Sequence, residues 1–222
     1  MKRRLSNQRT GGLTLVEVLV SIAVVALMAV LVILFFAKAN AGVTRINCVY
    51  SLKHIGLAMR MWSNDHGDKF PWSVSTTNGG TMEFAGKPEV FRHYLAISNE
   101  LTSPKVLKCE KDEKRTQASS WAQLTNDARH LSYFVGLDAD EGRPQMILSG
   151  DRNLSFNGRL ASGLVTLKSN TVLGVAPLLH TNYINVGLAD GSAQQAPTAA
   201  LQTLNRAQFA SITNQSVLLA IP

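Results

Sequence analysis

Two cysteines and seven prolines are all that 222 residues contain of either type. Two thiols exclude a disulfide-dense scaffold and a four-cysteine zinc site. Charge is sparse, at 17% of residues against 45% hydrophobic, which excludes a disordered chain. Acids are the scarcer sign, with 15 Asp and Glu against 22 Lys and Arg. Lys2, Arg3, Arg4 and Arg9 carry +4 of the +7 net charge, so only +3 is spread over the remaining residues. An extended polyanion-binding face is therefore not expected, and nucleic acid is not an expected partner. No unit repeats at a period of about 20–50 residues, which excludes a solenoid or propeller. Catalytic signatures are missing as well. There is no G-x-S-x-G elbow and no G-x-G-x-x-G, and Gly86-Lys87 is followed by Pro88 where a phosphate loop needs a hydroxyl. His54, His66, His93, His130 and His180 show neither H-x3-H nor HExxH spacing, so no resident metal is expected, and no enzyme.

One long apolar run is present. Residues 18–37, VLVSIAVVALMAVLVILFFA, hold a single polar side chain, Ser21. A twenty-residue helix spans about 30 Å, the thickness of a bilayer's hydrocarbon core. The rest of the chain is too small to bury such a helix all round. The basic residues ahead of it favour a cytoplasmic N-terminus with the C-terminal part outside. A cleavable secretory signal has a shorter apolar region of about 7–15 residues, although Ala37-Lys38-Ala39 and Ala39-Asn40-Ala41 offer cleavage sites. A plain signal anchor fits length and charge but leaves Glu17, at the cytoplasmic edge of the run, unexplained.

Gly11-Gly12-Leu13-Thr14-Leu15-Val16-Glu17 resembles the processing motif of type IV prepilins and type II secretion pseudopilins. The resemblance implies a leader of residues 1–12, cleavage between Gly12 and Leu13 by a prepilin peptidase, and methylation of the new Leu13 amine. Leu13 stands where the family usually has Phe. Gly12, lacking a Cβ, lets a protease approach the backbone. Glu17 becomes the fifth mature residue. The resemblance implies that it pairs with a neighbour's N-terminal amine and sets the register of apolar helices packed in a filament.

Polarity rises after Lys38, and Cys48, Leu52, Ile55, Met59 and Trp62 recur at spacings of 4, 3, 4 and 3, one face of an α-helix. No Pro occurs between residues 18 and 65. The helix is thus expected over 13–65, ending near Gly67 and Pro71. Residues 47–71 and the C-terminal pattern of His180, nine residues, then Asp190-Gly191 resemble one bacterial branch of large prepilin-like proteins. Fold class follows from this resemblance: α+β and pilin-like, a long N-terminal helix packed against an antiparallel sheet in a head of residues 66–222.

Within that head, runs at 131–137, 145–149, 164–167, 171–175 and 183–189 read as strands, and 88–96 and 198–210 as short helices. Residues 183–189 and 192–196 flank Asp190-Gly191 as a β-hairpin with a two-residue primed turn. Cys48 and Cys109 read either as a disulfide across about 60 residues or as two separate buried thiols. His180 is expected to hydrogen-bond Asp190 or a backbone carbonyl across the hairpin; a cation shared with Asp190 and Asp151 is the alternative. Asp138-Ala139-Asp140-Glu141-Gly142 faintly echoes a calcium loop, but Ser149 stands where the bidentate Glu belongs, so a polar turn is the favoured reading. Trp62, Trp72 and Trp121 read as core or rim residues.

The expected protein is a structural filament subunit. Its expected partners are copies of itself or related pilins, the peptidase, an inner-membrane assembly platform and, before assembly, lipid. Its expected location is the inner membrane with a periplasmic head, then a periplasmic or surface filament. A rival from another class is an envelope protein that keeps this N-terminus for export only and binds a ligand with its head. An anchored hydrolase is the third reading.

Overall fold

The computed structural model describes residues 12, 14–125, 128–210, 212 and 216–222, and of 35–45 the backbone only. Residues 1–11 of the expected leader, and Leu13, lie outside the described residues. The chain divides into two compact units, Met1–Val43 and Thr44–Pro222. Helix α1 (Leu15–Asn64) begins in the first and ends in the second.

In the first unit the segment Leu15–Leu34 is 20 residues with a mean hydropathy of 2.9, and none of it is buried. Val, Leu, Ile and Met side chains are exposed all round the helix. The segment is long and apolar enough to cross a bilayer. It begins at Leu15 and takes in Glu17.

In the second unit the helix changes character. Cys48, Leu52, Ile55, Met59 and Trp62 are all buried, while Lys53, Leu57, Arg60 and Met61 are exposed. The apolar stripe is the helix's share of the head's core. Gly67 and Asp68 adopt left-handed φ of 69° and 57°, and the His66 and Asp68 amides donate to Ser63 O. Those bonds satisfy an end carbonyl, and Pro71 then opens a short 3-10 turn (Pro71–Ser73). Helices α2 (Val90–Ala96) and α3 (Ser98–Leu101) follow.

Among the described residues nine strands come next: β1 (Tyr133–Gly136), β2 (Ile147–Asp151), β3 (Leu154–Phe156), β4 (Arg159–Leu160), β5 (Gly163–Leu167), β6 (Leu173–Val175), β7 (Tyr183–Leu188), β8 (Ala193–Pro197) and β9 (Val217–Ile221). Helix α4 (Thr198–Ala210) lies between β8 and β9. Six strands form one antiparallel sheet in the order β5-β9-β1-β2-β7-β8; β4-β3-β6 form a second. The central strands β1 and β2 are buried at every position, and β7 at all but its first, as strands covered on both faces must be. The fold is thus α+β, a long N-terminal apolar helix followed by an antiparallel β-sheet domain, the pilin-like arrangement expected.

The β7–β8 hairpin departs from expectation in its turn. Gly191 N donates to Leu188 O, and Leu188 N donates to Ser192 O, which leaves three residues, Ala189 to Gly191, in the loop. Gly191 has φ +82°, whereas Asp190 is not among the residues with positive φ. This is a three-residue turn closed by a left-handed glycine, not the two-residue primed turn. The Asp190 side chain instead stabilises the loop, its Oδ1 accepting from Ser192 N at 2.8 Å.

Candidate functional site

Two regions concentrate chemistry. The first is the start of α1. Gly12 is exposed, and nothing lies within 4 Å of where a Cβ would stand. Glu17 N donates to Thr14 Oγ1 at 3.3 Å, while Thr14 N and Thr14 Oγ1 donate to Glu17 Oε2 at 2.8 and 2.9 Å. This reciprocal arrangement is a capping box, in which a Thr and a Glu three residues on satisfy one another's amides. Glu17 thus has a role inside its own chain, fixing the helix start directly after the Gly12–Leu13 bond. Sequence reasoning assigned Glu17 only to a neighbour; the spacing Thr-x-x-Glu ahead of an apolar run was the signal that pointed here.

The second region is a buried cluster in the head. Cys48 comes from α1, Cys109 from the loop after α3, Asp151 from the end of β2, and His180 from the loop before β7. All four are buried, none more than 4% exposed. The two Sγ atoms lie 2.6 Å apart with no bond between them. His180 Nε2 stands 3.5 Å from Cys109 Sγ and 3.6 Å from Asp151 Oδ2. Asp151 Oδ2 also accepts from the Asn185 backbone and side-chain N–H groups, each at 2.8 Å. Burial pushes the Asp151 carboxyl up to about 7, against the pull of His180 and the Asn185 amide. The contact between the two sulfurs pulls Cys48 down and pushes Cys109 up. Ligand-type atoms of Cys48, Cys109 and His180 all fall within 4.8 Å of one another, a donor set of the soft type.

The C-terminal signature therefore splits. His180 does not reach across its hairpin to Asp190; it turns to Asp151 and Cys109. Asp190 and Gly191 dock elsewhere on α1. Arg60 donates from Nη1 to Asp190 O at 2.9 Å, and Gly191 packs against Gly56. Strand β7 connects the two contacts. Its six residues cover about 20 Å, and Cys48 to Arg60 on α1 covers about 18 Å. The nine-residue spacing thus separates two anchors, His180 ahead of β7 and Asp190-Gly191 after it.

The acids of 138–142 go to separate partners. Asp138 Oδ2 accepts from Leu218 N, Asp140 Oδ1 from Gly142 N, and Glu141 from Arg60 Nε and Ser63 Oγ. Trp62 and Trp72 are core residues, and Trp121 packs against the core from its rim. Sequence reasoning missed one further constellation. Asp112 receives two 2.6 Å bonds from Arg152 and one of 2.8 Å from Ser132, all buried. Those partners hold its carboxyl below the usual range, although burial pushes the other way.

Compared with models of protein families, residues 7–33 match the prokaryotic N-terminal methylation motif. The match covers the basic residue Arg9, Gly12, Thr14, Glu17 and most of the apolar segment. The chain is prepilin- or pseudopilin-like in this N-terminal part. No curated protein and no solved structure gave a match.

Proposed function

We propose that this protein is a structural subunit of a type IV pilus-like or type II secretion pseudopilus filament, cut after Gly12 and assembled through α1. The observation that carries the reading is the motif at Gly12–Glu17 running into Leu15–Leu34, an apolar segment none of which is buried. Such a surface must be met by lipid or by other helices. Before assembly lipid meets it. In the filament the helices of neighbouring copies replace lipid, and the carboxylate of Glu17 meets the amine that cleavage creates. The peptidase and an inner-membrane assembly platform are the partners this requires. The head faces the periplasm and then the filament surface, and its role is structural rather than catalytic.

The test is intact-mass measurement on protein taken from the native membrane, followed by cysteine crosslinking between exposed α1 positions such as Val25 and Leu27. Loss of residues 1–12 with one added methyl, and crosslinks that form ladders, support a filament subunit. Processed protein that never crosslinks to itself supports export of a ligand-binding head instead.

A further inference from the structure

We propose that Cys48 and Cys109 are joined as a disulfide in the exported protein, and that His180 takes the proton released as the bond closes, its charged ring then facing Asp151. The two sulfurs face each other at 2.6 Å across the packing of α1 on the head, about half an ångström beyond bonding distance. Two sulfurs sharing one tetrahedral zinc ion would stand about 3.8 Å apart, at Zn–S bonds of about 2.3 Å. The pair sits too close for a shared ion and needs only a small approach to bond. A Cys–His–Asp group also suggests a nucleophile with its base. With Cys48 at 1% and Cys109 at 0% exposure, no substrate reaches these sulfurs. Their reaction partners are each other.

The oxidant is an oxidised dithiol, either a protein disulfide donor or oxidised glutathione, the class an extracytoplasmic compartment supplies. Cys48 lies on a helix that forms from local sequence, so it meets the donor before the core closes. Its thiolate attacks one donor sulfur, the donor's S–S bond breaks, and one donor thiolate leaves. Folding then brings Cys109 up. His180 Nε2, 3.5 Å away, removes the Cys109 proton. The Cys109 thiolate attacks Cys48 Sγ, and the second donor thiolate leaves. Two S–H bonds are lost, one S–S bond forms, and the donor's disulfide is reduced to two thiols. The cross-link closes a loop between residues 61 apart, restricting the unfolded chain. It lies four residues past Thr44, where the second unit begins. Under the filament reading, force passing along α1 then enters the head through a covalent bond; the bond itself does not depend on that reading.

The full chain, extracted from membranes in denaturant with an alkylating reagent, is weighed intact before and after reduction. No added alkyl group before reduction and two after it are expected. Two added before reduction overturn the bond, as does zinc released stoichiometrically when the thiols are blocked. The same spectrum reports separately whether residues 1–12 are gone, so failure here is distinct from failure of the filament reading. For His180, the reduced chain is refolded in detergent with oxidised glutathione. His180→Gln should slow closure about tenfold at pH 7, and the gap should narrow as pH rises and hydroxide takes over the deprotonation. Asp151→Asn, with His180 intact, should slow it less. Unchanged rates and pH profiles in both variants overturn His180's part.

Discussion

A Cβ built on Gly56 would stand 3.1 Å from the Cα of Gly191. The hairpin thus approaches α1 backbone to backbone, and both positions exclude a side chain for different reasons. Gly191 needs its φ of +82°, and Gly56 needs the space. Gly191→Ala should cost roughly 1–2 kcal/mol from the left-handed conformation alone. Gly56→Ala must push the hairpin away by a few tenths of an ångström. The double variant should cost less than the sum, because both disturb one approach. Urea unfolding midpoints of the four proteins check this.

Asp112 and Arg152 should be the most sensitive polar pair. Arg152→Ala removes the two shortest bonds to a buried carboxylate and leaves it Ser132 and the charge of Arg115, at a cost toward the lower end of about 3–5 kcal/mol. Replacing both residues by apolar ones of similar volume should recover part of that loss. The pair also carries acid sensitivity. Asp112 has a depressed folded pKa, so its stabilisation is complete above the ordinary aspartate range and is lost as pH falls through the folded value. Denaturant midpoints between pH 5 and pH 2 read it.

Opposite pH slopes are built into the core. Burial depresses His93 to about 4, with Glu89 opposing. Between pH 6.5 and 4 the unfolded chain binds the extra proton, so stability falls as pH falls, by roughly 3 kcal/mol in all. Asp151 is raised to about 7. Between about pH 4 and 7 the folded chain holds that proton, so stability falls as pH rises. Its Oδ1 has no partner among the described residues, which leaves room for the proton. The two slopes offset in the wild type. His93→Gln should leave stability falling toward pH 7, and Asp151→Asn should leave it falling toward pH 4. Thermal midpoints at four pH values separate them.

Much of this was legible in the sequence because the signals were local. The stripe from Cys48 to Trp62 and the strands at β1, β2, β5, β6 and β7 follow from periodicity and β-branched runs. Strand β9 did not emerge, although Val217–Ile221 is an unbroken apolar run of strand length. It sits between β5 and β1, a position fixed only by long-range pairing. The Asp190-Gly191 turn was placed correctly but given one residue too few, since sequence does not show which amide closes the loop. His180 was assigned to its hairpin neighbour because sequence distance favoured Asp190. The buried Asp151 prevailed because β2 lies beside β7 in the sheet. Asp112–Arg152 spans 40 residues and left no local trace.

Glu17 offers the sharpest separation of two roles. In the single chain its carboxylate closes the capping box with Thr14. In the proposed filament its charge meets the new amine of a neighbour. Glutamine preserves the first, because its side-chain oxygen accepts the same amide bond, but it removes the charge. Alanine removes both. If the charge sets the register between subunits, Glu17→Gln and Glu17→Ala should both be processed after Gly12 and both fail to assemble. If helix capping is the whole role, Glu17→Gln should assemble like the wild type and only Glu17→Ala should fail. Intact mass reports processing, and sedimentation of sheared filaments with crosslink ladders reports assembly. A charge-reversed partner gives the converse check: a cation near position 17 should repel the amine and block assembly even where membrane insertion and head folding are normal.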